Sequence, residues 1–286
     1  MSDPQSPEEW AFYLNQVFDE AFGAERHPIS VIEMATMFTE RKFPQDPISR
    51  IEGGNIPGVE GILAPDPKGK RGWAIFFDLN TSVRSKRRIR FTLAHEFGHY
   101  LLHRYKHPNG FECKVTDIPL HDRQLSRLED EADRFAANFL MPIQDFQRQI
   151  SPSEFTDLNM LGCASDRYGV SLTAAVRQWL RYTEQRAVLA VSDLDGFILW
   201  SEASVSAKKA GAYFPKVKWE GVEVPAESLA ANRGITNYPK DGVPMPKGTW
   251  FKDHEVLEMG IHSDQYGIVI TLLMLDFERD PVGGWE

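Results

Sequence analysis

The sequence predicts an α+β protein, and three observations carry that reading. Helical periodicity dominates residues 8–42 and 88–182, short strand signals punctuated by Pro and Gly fill 43–77, and strand signals return after residue 184. The chain has 286 residues, 42% hydrophobic and 26% charged, which is ordinary for a folded chain with room for two domains. No stretch approaches the roughly 18 uninterrupted apolar residues that a membrane span needs, so no membrane partner is expected. The acidic start, Met1 to Glu9, lacks the basic and apolar pattern of a secretory signal. Two cysteines, Cys113 and Cys163, are too few for a disulfide framework, and a cytoplasmic location is expected. The formal net charge of −9 argues against direct, sequence-independent nucleic-acid binding. The densest basic run, Ser85-Lys86-Arg87-Arg88-Ile89-Arg90, reads as a solvated helix entry.

Taken in order, Trp10, Tyr13, Leu14, Val17, Phe18 and Phe22 recur at spacings of 3–4 and predict an amphipathic helix over 8–22. Ser30 is an N-cap for a second helix carrying Val31, Ile32, Met34, Ala35 and Phe38. Residues 43–71 read as short strands and turns, among them Gly61-Ile62-Leu63-Ala64 and the turn Pro65 to Gly69. Trp73 to Phe77 is a strand. It reads either as a plain core strand or as a free edge on which an extended peptide could lie. A helix spans 88–105 and ends at Pro108-Asn109-Gly110. Residues 106–124 read as a loop, and a long helix follows at about 125–141, ended by Pro142. A shorter helical pair is expected at 143–161 and 171–182. Tyr168 to Val176 has a helix-turn-helix flavour, but the few basic residues there favour a helical hairpin packed on the core. Val188 to Val191, the turn Asp193-Leu194-Asp195-Gly196, and Phe197 to Trp200 form a hairpin signal, and 266–275 reads as a buried strand. A second α+β domain is therefore placed at 184–286. Tyr213, Phe214, Trp219 and Trp250 within it read as core, with a pocket lining as the sharper alternative.

The chemistry concentrates at His95-Glu96-Phe97-Gly98-His99. On a helix, positions i and i+4 share a face about 5–6 Å apart at Cβ, so two imidazoles can converge on one Zn²⁺. Glu96, next to the first imidazole, can act on a water held at the metal. A catalytic zinc site usually has three protein ligands. His103 lies one further turn along the same face, and a packing or hydrogen-bonding role suits it better than ligation. On the 125–141 helix, Leu125, Leu128, Ala132, Phe135, Ala136 and Phe139 form an apolar face with Glu129 at its edge. A carboxylate aimed inward from such a face is costly unless paired or metal-bound. Glu129 is thus the leading third ligand, with Glu131 the alternative. Asp133, four residues on, can hold the outer nitrogen of a ligand histidine. Ala94, Gly98, Ala132, Ala136 and Ala137 would let the two helices approach closely. Cys113 reads as a free loop thiol, with metal capping or redox chemistry as a weaker reading.

Arg90 to His103, followed by Glu129-Asp130-Glu131-Ala132-Asp133-Arg134-Phe135-Ala136-Ala137-Asn138-Phe139-Leu140-Met141-Pro142, resembles the ImmA/IrrE family of metallopeptidases over roughly residues 28–182. The resemblance implies a gluzincin-like (zincin) helical core with a small sheet. It implies metal ligands His95, His99 and Glu129, with Glu96 as general base, and either Zn²⁺ or Mn²⁺ suits that set. It implies an endopeptidase that cuts a helix-turn-helix repressor and so relieves repression of stress or mobile-element genes. The longer members carry a C-terminal GAF-like sensor domain, a place that 184–286 could fill, with a small-molecule signal. Domains are accordingly expected as an N-terminal extension at 1–27, the peptidase with its trailing hairpin at 28–183, and a sensor at 184–286. The extension is too short for a fused repressor, so the substrate is expected to be a separate chain. The competing reading is a module that binds a repressor or antitoxin without cutting it.

Overall fold

The computed structural model describes residues 3–23, 25–66, 72–79, 86–114, 123–214, 221–232 and 242–277. It is mixed α+β with two sheets. Its elements, in order, are α1 (Pro7–Phe22), α2 (Val31–Lys42), β1 (Ile48–Gly54), β2 (Val59–Pro65), β3 (Trp73–Asp78), α3 (Lys86–His103), β4 (Phe111–Lys114) and α4 (Arg123–Leu140). There follow α5 (Ile143–Gln149), α6 (Leu158–Tyr168), α7 (Leu172–Leu180), β5 (Ala187–Asp193), β6 (Phe197–Ala203), α8 (Val205–Lys209), β7 (Val222–Glu223), β8 (Val243–Met245), β9 (Val256–Ser263) and β10 (Ile268–Met274). Packing divides the chain into two units: Met1–Pro142 with Ser165–Ser171, and Ile143–Ala164 with Leu172–Glu286. Within the second unit α7 lies against β5 and β6. The turn residues Pro67 to Gly69, Ser85 and Trp219 lie outside the described residues, as does the loop segment 115–122. No helix among the described residues is long and apolar enough to cross a membrane.

In the first unit α1 begins with a capping box. The Ser6 side chain accepts from the Glu9 amide while Glu9 reaches back to the cap. Its apolar stripe, Trp10, Ala11, Leu14 and Phe18, is buried. Asn15, on the same stripe, donates to the carbonyls of Ala11 at 2.9 Å and Asn138 at 3.2 Å, which satisfies a buried amide and fastens α1 to α4. The four-stranded sheet runs β1-β3-β2-β4. The prospect that Trp73–Phe77 offers a free edge is corrected here. β3 is flanked by β1 in parallel and β2 antiparallel, with Ile75 opposite both Ile51 and Leu63. Its nearly unbroken apolar run is what a strand covered on both faces requires. The edges belong instead to β1 and β4; β4 lies within the stretch expected to be loop and pairs Cys113 with Gly61 of β2.

The basic run that opens α3 is also more than a solvated entry. Arg87 donates to Ser165 Oγ at 2.8 Å and to the Val170 carbonyl at 2.9 Å, and Arg90 donates to the Ile29 carbonyl at 3.0 Å. Arg88 pairs with Glu60. At the other end of α3, Arg104 is buried. Its guanidinium lies over the rings of Phe43, Tyr100 and Tyr105 at 4.1–4.3 Å and donates to Asp46. Both ends of the histidine helix are thus tied down by cations. Its middle is set by close approach to α4. A Cβ at Gly98 would stand 2.9 Å from Phe135 and 3.3 Å from the Ala132 backbone. Phe97, Phe135 and Phe139 interlock around that point, with ring centroids 5.4–5.8 Å apart.

In the second unit a six-stranded antiparallel sheet runs β7-β6-β5-β10-β9-β8. The expected hairpin is β5–β6, and the expected buried strand is β10 beside it. The expected helix 143–161 is broken into α5 and α6 around Pro152. Trp179 of α7 is fully buried, and α7 spends its apolar face on packing against β5 and β6. Phe214 packs on Trp250 and Phe251 at 6.0 and 5.3 Å, which makes Phe214 and Trp250 core, while Tyr213 is exposed. Glu258 is fully buried and accepts from Trp250 Nε1 at 2.8 Å and the Ala230 amide at 2.9 Å.

Two predictions follow from this packing. Gly98→Ala gains about 1 kcal/mol of helix propensity but overpacks against Phe135 at a cost of about 1–3 kcal/mol, so chemical denaturation should show a net loss of up to about 2 kcal/mol. Burial raises the Glu258 pKa above its ordinary 4.5, against the opposing hydrogen bonds from Trp250, Ala230 and Leu229. The folded chain therefore holds this proton more tightly than the unfolded chain. The stability it contributes is full below pH 4.5 and is lost as pH rises through the raised value. Melting the wild type and Glu258→Gln across that range should show the slope only in the wild type.

Candidate metal centre

The i, i+4 spacing brings His95 and His99 together as expected. Their rings lie 4.7 Å apart and their Nε2 atoms 3.0 Å apart, both buried. α4 contributes Glu129, with Oε2 at 3.0 Å from His95 Nε2 and Oε1 at 3.4 Å from His99 Nε2. Asp133 lies 2.8 Å from His95 Nδ1. His103 is 3.0 Å from His99, Nδ1 to Nδ1, and its own Nε2 is 3.0 Å from Glu131 Oε2. Glu131, read from the sequence as the alternative ligand, is therefore engaged with His103 and with Arg127 at 2.9 Å.

These contacts assign the protons. Asp133 can only accept, so His95 donates from Nδ1–H. Glu131 accepts from His103 Nε2–H, which leaves His103 Nδ1 as a lone pair to accept from His99 Nδ1–H. With both histidines neutral, each Nε2 is left with a lone pair. Those two lone pairs and the Glu129 carboxylate then face one another at 3.0–3.4 Å with no proton to share. Only positive charge makes such an arrangement favourable. The titration behaviour reports the same demand. Burial alone would lower the His95 pKa, yet Asp133, Cys113 and Glu129 together hold it well above the ordinary value. Burial, with the charge of His95, lowers His99 to about 4. Burial would raise Glu129, but the hydrogen bonds with His95 and His99 hold it well below the carboxylate range. A divalent ion meets this demand with one particle.

Sequence reasoning placed Cys113 in a loop, whereas the structure places it at the centre. Its Sγ is 3.4 Å from His95 Nε2, and ligand atoms of His95, His99, Cys113 and Glu129 all lie within 4.8 Å of one another. Period-2 geometry puts Phe111 on the same face of β4 as Cys113, and the Phe111 ring stacks on His99 at 4.2 Å. The only signal in the sequence was the alternation Phe111-Glu112-Cys113 itself. Burial pushes the Cys113 thiol pKa up. Gly61 was likewise unassigned. A Cβ there would stand 2.4 Å from Glu96 Oε1 and 2.8 Å from Thr92 Cγ2, so the missing side chain makes the space that Glu96 occupies. Glu96 is fully buried, and neither carboxylate oxygen has a hydrogen-bond partner of good geometry, although the Cys113 thiol is close enough to draw its pKa down against burial. Burial pushes its pKa up to about 7.

Residues 78–180, which include α3 and α4, match the family model for the IrrE N-terminal-like domain, Peptidase_M78. This stretch belongs to the ImmA/IrrE family. No curated protein matches the chain significantly. A solved structure described as a Mycobacterium tuberculosis transcriptional regulator has a similar fold, with a TM-score of 0.53 at 12% identity over 92% of this chain and 76% of that one. The likeness is one of fold alone.

The IrrE-like centre carries its own test. Zn²⁺ added to chelator-stripped protein should raise the melting temperature, by about 2.7 kcal/mol of stabilisation at a hundredfold excess over Kd. His99→Ala should abolish that rise. An equal rise in the variant would show that the ion binds elsewhere.

Proposed function

We propose that this chain is a zinc-dependent endopeptidase of zincin type, with His95, His99 and Glu129 as metal ligands and Glu96 as general base. The observation that carries the reading is Glu96 itself. A carboxylate with two unsatisfied oxygens, sealed beside a three-donor cluster, is costly to maintain unless a substrate-derived proton visits it. A divalent ion at the cluster supplies Lewis acidity, polarising the scissile carbonyl and acidifying the attacking water. Zn²⁺ and Mn²⁺ both suit two imidazoles and a carboxylate.

The chain's own groups do the rest. Glu96, raised to about 7, is poised to take the proton of the attacking water onto a carboxylate oxygen and pass it to the leaving amide nitrogen. Gly61 keeps that carboxylate in position. Asp133 and the His103–Glu131 pair fix the tautomers of His95 and His99, so both present Nε2 inward. β4, at the sheet edge, is the strand beside which an extended peptide could lie.

The proposed substrate is a helix-turn-helix repressor on a separate chain, cut in the cytoplasm to relieve repression of stress or mobile-element genes. The family match and a similarly folded neighbour described as a transcriptional regulator support this reading. We assign residues 1–27 as an extension, 28–183 as the peptidase and 184–286 as a GAF-like regulatory domain open to a small-molecule signal.

The test incubates the zinc-loaded chain with the repressor encoded beside it, reading fragments by mass spectrometry with and without chelator. Glu96→Gln should keep its metal and lose cleavage by about 10²–10⁴-fold. Gly61→Ala should behave similarly by displacing Glu96. Cleavage by Glu96→Gln at the wild-type rate would sink the assignment. Binding of the repressor without cleavage by the wild type would favour a partner-binding module.

A further inference from the structure

We propose that Cys113 is a fourth ligand of a resting His95–His99–Glu129–Cys113 site around a divalent metal ion, holding the position that the attacking water takes once the thiolate leaves. The inference rests on the metal reading above and goes beyond the three-ligand set it uses. Four side-chain donors from three separate elements, α3, β4 and α4, converge here. In a tetrahedral site with metal–nitrogen bonds of about 2.0–2.1 Å and metal–sulfur bonds of about 2.3 Å, neighbouring donors stand roughly 3.3–3.7 Å apart. Cys113 Sγ to His95 Nε2 at 3.4 Å and His99 Nε2 to Glu129 Oε1 at 3.4 Å already fall in that range. The two pairs at 3.0 Å need a few tenths of an ångström of expansion, and Cys113 Sγ, within 4.8 Å of the His99 and Glu129 donors, needs to draw in toward them.

Charge favours the same set. Two neutral imidazoles, one carboxylate and one thiolate balance a 2+ ion, so the buried site becomes neutral once the thiol proton leaves to solvent. The sulfur–metal bond forms as the S–H bond is lost, and nothing is oxidised. A second observation points to a ligand in the same chamber. Glu96, on the turn of α3 that faces β2, is fully buried with both oxygens unpartnered, and it stands against Gly61, the register partner of Cys113. Cys113 is also held rigidly enough to serve. Its strand is hydrogen-bonded to β2, and Phe111 on the same strand face is stacked on His99.

The chain supplies its own control, because Cys163 is exposed and remote in sequence from the site. The experiment loads the full chain with Co²⁺ and records its electronic spectrum, then measures alkylation of each cysteine by iodoacetamide with and without Zn²⁺. The expected result is a thiolate-to-cobalt charge-transfer band in the wild type, lost in Cys113→Ser and kept in Cys163→Ser. Zn²⁺ should slow alkylation of Cys113 and leave Cys163 unchanged. Bound Co²⁺ with no such band, together with unslowed Cys113 alkylation, overturns this inference and leaves the three-ligand reading standing. Failure of the chain to bind Co²⁺ or Zn²⁺ at all overturns both.

Discussion

Gly98 and Ala132 let α3 and α4 come together, and the polar chemistry of the centre depends on that approach. With a side chain at residue 98 the helices would part, and Glu129 and Asp133 would withdraw from His95. With the helices in contact, two imidazoles and a carboxylate are pressed into a volume where they repel unless a positive charge sits among them. Hydrophobic packing of Phe97, Phe135 and Phe139 supplies the force that holds this electrostatically unfavourable cluster together. The core is thus what holds the cluster together, and a bound cation would relieve what the core imposes.

The centre is layered. Innermost are the Nε2 atoms and the Glu129 oxygens. Around them Asp133, His103 and Glu131 decide which nitrogen of each ring carries a proton. A third ring of contacts, Arg87 with Ser165 and Val170 and Arg104 with Asp46 and its aromatic neighbours, fixes the ends of α3. Glu96 stands apart from this hierarchy. It turns about 100° away from His95 on the helix, toward the sheet rather than toward α4, and its environment is set by Gly61.

Much of this was legible in the sequence, for a physical reason. Helical contacts are local, so the i, i+4 histidines, and the inward placement of Glu129 and Asp133 on one stripe, follow from 3.6 residues per turn. Sheet partners are set by contacts distant in sequence, and there the sequence was silent or misleading. The run Trp73 to Phe77 looked like a strand but could not say whether its flanks were covered. Phe111-Glu112-Cys113 was too short to look like a strand at all, so Cys113 was left in a loop. In the second unit Glu258 interrupts an otherwise apolar run, which hid β9. Arg87 and Arg90 read as a charged surface because their acceptors, at Val170 and Ile29, lie far away along the chain.

Cys113 and Gly61 occupy the same rung of the sheet. Side chains alternate across a sheet with period two, so sliding β4 by a single residue would turn the sulfur to the opposite face and bring Glu112 or Lys114 to the centre instead. The two halves of the chemistry, room for Glu96 and delivery of the thiol, are therefore gauged by one backbone alignment. The length of chain between β2 and β4 is then as much a part of the chemistry as the residues of the cluster. One residue inserted or deleted there could change the donor set without altering a single ligand.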